Sequence, residues 1–251
     1  MQEKQVSTEL VCQPIAGTWL SGLAKMMAEN PEFAEAYDAL LGAVRLARPD
    51  ASGGSVLVTS AKPGEGKTTV SSCLAIAASL AGRRALLIDG DLRRLSLSAA
   101  VGSADTSGLI EVLLGQGSAA DVIRPFSLTD PPSANVVSFM AGGRRSSASL
   151  AAVDWGQARS IFKAISQQFG IVVVDSPPVL AANDALLFAS IVDSVVLVVG
   201  AGANISEVQR AKEQLEAIGA RNIGAILNRF EPKLHGRSNQ PYRGYYRRTR
   251  A

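Results

Sequence analysis

Cysteine and histidine are scarce in this 251-residue sequence, which contains two cysteines, Cys12 and Cys73, and one histidine. These numbers exclude a disulfide framework and give no metal-ligand spacing, so we expect a reduced, cytoplasmic protein with a buried thiol at Cys73. Apolar runs of the roughly 20 residues that cross a bilayer are also absent, and the uncharged run at 68–82 is too short. The amino terminus lacks the basic and apolar regions of a secretory signal, which predicts that the chain is not exported.

Acidic residues are missing from the tail, residues 233–251, which carries six positive charges. Because the formal net charge of the whole chain is +3, residues 1–232 carry −3. Three of the four tyrosines, Tyr242, Tyr245 and Tyr246, lie in this tail. The tail lacks hydrophobic periodicity, so we expect it to be flexible and its tyrosines to belong to no core. Stacking on nucleic acid and phosphorylation are the two uses open to them, whereas a solubilising tail would explain the arginines only.

A glycine-rich loop at residues 61–66 separates an apolar run at 56–58, predicted to be a buried strand, from a predicted helix that begins at Lys67. Strand, loop and helix in this order form a phosphate-binding loop, in which backbone N–H groups and the positive end of the helix dipole surround phosphate oxygens. The motif begins with Ala61 in place of the usual glycine, but its spacing is intact. An ordinary strand-to-helix turn is the alternative, and it would not need a Lys–Thr pair at the start of the helix.

The residues of the loop have distinct expected roles. Gly64 and Gly66 let the backbone close on phosphate oxygens. Lys67 can reach the β- and γ-phosphates of a nucleotide, and the Thr68 hydroxyl can bind Mg²⁺. The predicted nucleotide-binding residues of the loop are Pro63, Gly64, Glu65, Gly66, Lys67, Thr68 and Thr69.

Acidic residues follow two further predicted strands. Asp89 and Asp91 come after the apolar run 85–88, and Asp175 comes after the apolar run 171–174. Because ligands bind at the carboxyl ends of parallel strands, we expect Asp89 and Asp175 to face a magnesium-bound nucleotide. A solvated turn is the alternative for the Asp-Gly-Asp sequence.

Repeated alternation of strand and helix patterns predicts an α/β fold with one mostly parallel sheet and helices on both faces, the Rossmann-like three-layer arrangement of P-loop NTPases. The last predicted strand, 223–227, ends at Asn228, whose amide either reads a base edge or forms a turn. The predicted organisation is an extension of unassigned role at 1–29, a phosphate-loop domain at 30–232 and the tail.

The ordered set of motifs resembles the bacterial tyrosine autokinases of capsule and exopolysaccharide synthesis. The Walker A motif of that family is similar to residues 61–69, its second acidic motif to residues 89–93 and its Walker B motif to residues 175–178. Its carboxy-terminal tyrosine cluster is similar in kind to the one in the tail, and the resemblance extends over residues 31–232. It implies a magnesium-dependent kinase that transfers the γ-phosphoryl of ATP to tyrosines and regulates polysaccharide synthesis and export.

The resemblance also implies roles for single residues. Lys67, Asp89 and Asp91 would be catalytic, with either carboxylate accepting the phenolic proton, and Asn228 would join the nucleotide-binding set. The implied magnesium ligands are Thr68, Asp89 and Asp175, and the implied phosphate acceptors are Tyr242, Tyr245 and Tyr246.

Partners follow from the same resemblance. Neighbouring subunits of the family phosphorylate each other's tails, which implies self-association. A separate membrane-spanning chain-length regulator would activate the kinase and hold it at the inner face of the cell membrane, and a tyrosine phosphatase would reverse the modification. Nucleic acid is not an expected partner.

Two departures from the family pattern keep other functions open. Asp38 and Leu41 stand where the family carries the arginines that mediate ring assembly, and Lys62 stands where septum-site and partition ATPases carry their signature lysine. The alternatives are a nucleotide switch of that second kind, which binds DNA or a membrane through its tail, and a scaffold that binds nucleotide without catalysis.

Overall fold

The computed structural model describes residues 19–47, 53–129, 135–144 and 150–230. The strands in these ranges are β1 Ser55–Ser60, β2 Ala85–Asp89, β3 Ile123–Ser127, β4 Val136–Met140, β5 Ile171–Asp175, β6 Ser194–Gly200 and β7 Ile223–Asn228. They form one sheet in the order β3-β4-β2-β5-β1-β6-β7. The strands β3 and β4 pair antiparallel, and every other pair of neighbours is parallel.

Helices cover both faces of this sheet. They are α1 Trp19–Glu29, α2 Pro31–Leu46, α3 Lys67–Leu80, α4 Ser96–Ala100, α5 Leu109–Leu113, α6 Ala119–Val122, α7 Trp155–Gln168, α8 Asp184–Ala189 and α9 Ile205–Ala217. The first four contribute to the apolar core on one face and the other five to the core on the opposite face. The predicted three-layer α/β fold class is therefore confirmed. Within the described ranges, no helix is long and apolar enough to cross a membrane.

The central strands have nearly continuous apolar sequences because both of their faces are covered. Every residue of β1, β2 and β5 is buried. In contrast, β7 lies at an edge of the sheet and is half exposed. The three strands β1, β2 and β5 are thus buried along their whole length, including their carboxyl ends.

The helix α2 begins where the sequence predicts it. The Asn30 side chain accepts a hydrogen bond from the backbone N–H of Phe33, and Pro31 occupies the first helical position. The predicted apolar stripe packs on the body, with Tyr37 and Leu41 buried. Leu41 is therefore a core residue.

The sequence does not predict α1, because the mixed polarity of residues 1–29 hides its apolar side. In the structure, Leu20 and Met27 are buried in the same core as α2 and α3. The indole Nε1 of Trp19 donates a hydrogen bond of 3.1 Å to Ser72 Oγ of α3. The residues of α1 thus extend the layer of helices on this face.

The edge strand β3 is also not predicted, because a proline and polar residues interrupt its pattern. Pro125 lies in β3 opposite Ser138 of β4. Proline is tolerated at the edge of a sheet, where one side of the strand needs no partner. The antiparallel pair β3 and β4 therefore closes one edge of an otherwise parallel sheet.

Candidate active site

The phosphate loop and the predicted acidic residues lie at the carboxyl ends of neighbouring strands. The strand β5 lies between β1 and β2. Asp89 is opposite Asp175 in the register of β2 and β5, and Asp175 is opposite Val58 of β1. Strand pairing therefore brings both carboxylates beside the loop that leaves β1.

Two glycines with left-handed backbones shape the phosphate loop. Gly64 has φ +83° and Gly66 has φ +96°. A Cβ atom on Gly66 would lie 2.1 Å from Nδ2 of Asn228, so a side chain at this position would displace that amide. That amide nitrogen donates a hydrogen bond of 2.8 Å to the carbonyl of Glu65. The side chain of Asn228 therefore supports the loop through this bond, and its predicted contact with a base stays a prediction.

The carboxylate of Glu65 fastens the loop to the protein. Its Oε2 accepts from the backbone N–H of Lys62 at 2.8 Å, and its Oε1 accepts from the N–H of Gly200, at the end of β6, at 3.2 Å. Lys62 Nζ lies 2.6 Å from Glu207 Oε1 of α9 in an ion pair. Both carboxylate oxygens of Glu65 are thus engaged within the fold, which no feature of the sequence around the loop predicts.

Thr68 and Asp175 form the part of the site that fits a magnesium ion. Thr68 Oγ1 donates a hydrogen bond of 2.8 Å to Asp175 Oδ2, whereas Asp175 Oδ1 is buried and accepts none from the described residues. Burial raises the pKa of Asp175 to about 7, and the nearby charge of Asp89 adds to the rise. A hydroxyl beside a buried carboxylate with an unused oxygen is a donor set that Mg²⁺ or its bound water accepts.

Asp89 and Asp91, the two candidate bases, have different surroundings. Asp89 is fully buried, and it accepts hydrogen bonds from Ser98 Oγ and Ser98 N, both at 2.7 Å, and from Asp91 N at 3.1 Å. Burial raises the pKa of Asp89. Asp91 Oδ1 accepts from Arg94 N at 3.2 Å, and its Oδ2 accepts no hydrogen bond from the described residues. Asp91 therefore has an oxygen available, whereas Asp89 is saturated by Ser98 and its own turn.

Lys67 is the cation at the centre of this group. Only 9% of its surface is exposed. Burial lowers its pKa, and the opposing attraction of Asp175 and Asp91 partly offsets that effect. Because Lys67 forms no ion pair with the described residues, its ammonium is available for phosphate oxygens.

Two contacts of the site have partners that the sequence does not single out. Ser98, on the short helix α4, also accepts a hydrogen bond of 3.0 Å at its Oγ from the backbone N–H of Gly142. Arg93 forms a two-pronged ion pair with Asp184, with Nε 2.7 Å from Oδ2 and a terminal nitrogen 3.0 Å from Oδ1. Both partners lie far away in the chain, so spacing gives no signal for either contact.

Comparison with known proteins agrees with this geometry. Residues 56–244 match the family model of the CobQ/CobB/MinD/ParA nucleotide binding domain. The tyrosine-protein kinase CpsD of Streptococcus agalactiae is 33% identical over 179 residues, which cover 70% of this chain and 76% of that protein. The chain belongs to the bacterial tyrosine-protein kinase family. The tyrosine-protein kinase YwqD of Bacillus subtilis is 30% identical over 219 residues, which cover 84% of this chain and 85% of that protein.

A solved structure of the tyrosine-protein kinase family has the same fold. The kinase domain of the Escherichia coli tyrosine kinase ETK superposes with a TM-score of 0.69 at 29% identity, covering 78% of this chain and 74% of that one. The resemblance to bacterial tyrosine kinases is thus confirmed. The tyrosines expected to accept phosphate, Tyr242, Tyr245 and Tyr246, lie outside the described residues.

Gly66→Ala is expected to destabilise this kinase-family fold by roughly 2–3 kcal/mol, because an L-residue at φ +96° costs about 1–2 kcal/mol and the displaced Asn228 amide loses a hydrogen bond worth about 1 kcal/mol. Urea unfolding measures the loss. Gly82→Ala is the matched control, since Gly82 has φ +73° and open space around its Cα, so it carries the backbone cost alone. Equal losses in the two variants would show that the contact with Asn228 contributes nothing.

Proposed function

We propose that this chain transfers the γ-phosphoryl of magnesium-bound ATP to the tail tyrosines Tyr242, Tyr245 and Tyr246. The observation that supports this most is the convergence of Lys67, Asp91 and Asp175 on the phosphate loop, at one edge of the sheet, in a member of the tyrosine-protein kinase family. The match to a nucleotide-binding family and the buried lysine near carboxylates both support a site that binds the phosphate groups of a nucleotide.

Binding of ATP rests on the phosphate loop in this proposal. The backbone N–H groups of residues 63–69 and the amino end of α3 would surround the β-phosphate, and Lys67 would contact the β- and γ-oxygens. Thr68 and Asp175 would hold Mg²⁺ directly or through water, with Asp89 behind them. The ion would neutralise charge on the phosphates as the transfer proceeds.

The transfer requires one bond to form and one to break. The phenolic oxygen of a tail tyrosine attacks the γ-phosphorus, the bond from that phosphorus to the bridging oxygen breaks, and ADP leaves with the electron pair. The phenolic proton passes to a carboxylate, because a phenol with a pKa near 10 is a weak nucleophile until it is deprotonated. The available Oδ2 favours Asp91 as that base, whereas Asp89 would have to release a bond from Ser98.

Charge gives the modification a physical consequence. Three phosphates at about −1.5 to −2 each nearly cancel the six positive charges of the tail. We propose that this change alters association between copies of the chain, which phosphorylate one another. A membrane-spanning chain-length regulator of polysaccharide synthesis would activate the reaction at the inner face of the membrane, and a tyrosine phosphatase would reset it.

The test is to map phosphotyrosine on the purified chain after incubation with Mg-ATP. We expect modification at Tyr242, Tyr245 and Tyr246, and none at Tyr37, which is buried in the core and serves as an internal control. Replacing the three tail tyrosines with phenylalanine should remove the signal and leave ATP binding unchanged.

Other outcomes identify the alternatives. ATP hydrolysis without modified tyrosine, together with tail-dependent DNA binding that weakens steeply with salt, would replace the kinase by a nucleotide switch. Nucleotide binding with neither product would replace it by a scaffold.

A further inference from the structure

Two adjacent arginines follow Asp91, and the structure gives them opposite surroundings. The guanidinium of Arg93 is committed to the buried carboxylate of Asp184 through two hydrogen bonds. The side chain of Arg94 is exposed, and it forms no ion pair or hydrogen bond with the described residues. An arginine that has no partner beside a binding site is available for a ligand.

The turn that carries Arg94 is held in a fixed shape. The backbone N–H of Arg94 donates to Asp91 Oδ1 at 3.2 Å and to Asp91 O at 3.1 Å, and Leu95 N donates to Asp91 O at 2.8 Å. Leu95 is buried with φ +52°, a left-handed backbone that costs about 1–2 kcal/mol for such a residue. Non-glycine residues persist in this conformation where surrounding contacts impose it, often at functional sites. Arg94 is therefore presented by a rigid turn.

The turn that carries Arg94 lies at the same end of the sheet as the phosphate loop. It follows β2, whose last residue, Asp89, is opposite Asp175 in the register of β2 and β5. Asp175 accepts a hydrogen bond of 2.8 Å from Thr68 Oγ1, at the start of α3. The exposed guanidinium of Arg94 is thus carried by a turn that begins beside the residues expected to hold phosphate and metal.

We propose that Arg94 binds the terminal phosphate of the nucleotide held by the loop, and so makes the site prefer a triphosphate over a diphosphate. This inference rests on the proposed nucleotide site, but it does not need the transfer to tyrosine. Lys67 lies at the loop, where ADP and ATP would both place phosphate groups. Arg94 lies in the turn after β2, and we assign it to the oxygens of the third phosphate, which only ATP has. The planar guanidinium suits such a group, because it offers two parallel donors to phosphate oxygens.

The experiment compares affinities for ADP and for an ATP analogue with a non-hydrolysable β–γ linkage, with Mg²⁺ present. We expect Arg94→Gln to weaken binding of the analogue about tenfold, the usual effect of losing one charge-assisted contact, and to change ADP affinity less than twofold. Arg94→Lys should recover part of the loss, since it keeps the charge without the fork. Arg221→Gln is the matched control, because it removes the same charge from an exposed position. Arg221 lies just before β7, at the amino end of that strand and so away from the carboxyl ends that carry the site.

Each remaining outcome overturns the inference in a distinguishable way. An unchanged ratio of the two affinities in Arg94→Gln removes Arg94 from the nucleotide site and leaves the proposed function in place. Weaker binding of a phosphotyrosine peptide with unchanged nucleotide affinities would assign the same guanidinium to the product phosphate. A wild-type chain that binds neither nucleotide would overturn both this inference and the proposed function.

Discussion

Lys67→Met is expected to lower tyrosine phosphorylation about 100- to 1,000-fold, the effect of removing one preorganised group that stabilises charge in a transition state. The structure gives the reason, since Lys67 is a buried cation at the start of α3 with Asp175 and Asp91 around it. Without its charge, these carboxylates face the phosphates directly and repel them. Phosphotyrosine formation at saturating Mg-ATP measures the effect.

The control for this substitution is Lys163→Met, which makes the same change on the exposed side of α7, and it should retain wild-type activity. Thermal unfolding of both variants separates lost chemistry from lost folding. A Lys67→Met protein that stays folded and labels its tail at the wild-type rate would remove the lysine, and with it the phosphate-loop mechanism, from the proposal.

Asp175→Asn is expected to impair activity and stabilise the nucleotide-free fold. Transfer should fall about 100-fold, because the residue that orients the metal with Thr68 loses its charge. The free energy of unfolding should rise, because the buried carboxylate, whose Oδ1 accepts no hydrogen bond from the described residues, becomes a neutral amide. Chemical unfolding without metal, beside a kinase assay with it, measures the two changes.

The stabilisation by Asp175→Asn should depend on pH. The pKa of Asp175 is raised by burial to about 7, above its ordinary value of 3.8, so the folded wild type binds this proton more tightly than the unfolded chain. Wild-type stability should therefore fall as pH rises from about 4 to 7, by roughly 2–4 kcal/mol. The Asn variant should lack that fall, whereas Glu213→Gln, at an exposed position of α9, should retain it. Parallel pH profiles for wild type and Asp175→Asn would contradict the role of burial.

The sequence predicts the site best where its residues are contiguous. Residues 61–69 indicate a phosphate loop because their glycines, lysine and threonine directly follow an apolar strand within one short segment. Asp89 and Asp175 are predictable because each ends an apolar strand, and parallel strands bring their carboxyl ends to one edge. The residues that form hydrogen bonds to these motifs from elsewhere in the chain are not predictable in this way. The hydrogen bonds of Ser98 to Asp89, and of Glu65 to Gly200, depend on how distant turns fold over the edge.

Elements with weak patterns escape the same reasoning. The helix α1 has a buried side, but its exposed positions are not strongly polar, so its periodicity is faint. The strand β3 contains Pro125 and lies at an edge, where pairing with β4 rather than alternation of apolar residues defines it. The choice between Asp89 and Asp91 is equally hidden, because it depends on which oxygens are already engaged.

The bond between Asn228 and Glu65 joins the last strand to the phosphate loop. The chain leaves the described part of the structure two residues later, after Arg229 and Phe230. A change at Asn228 would therefore reach both the phosphate loop and the point from which the tyrosine-containing segment continues.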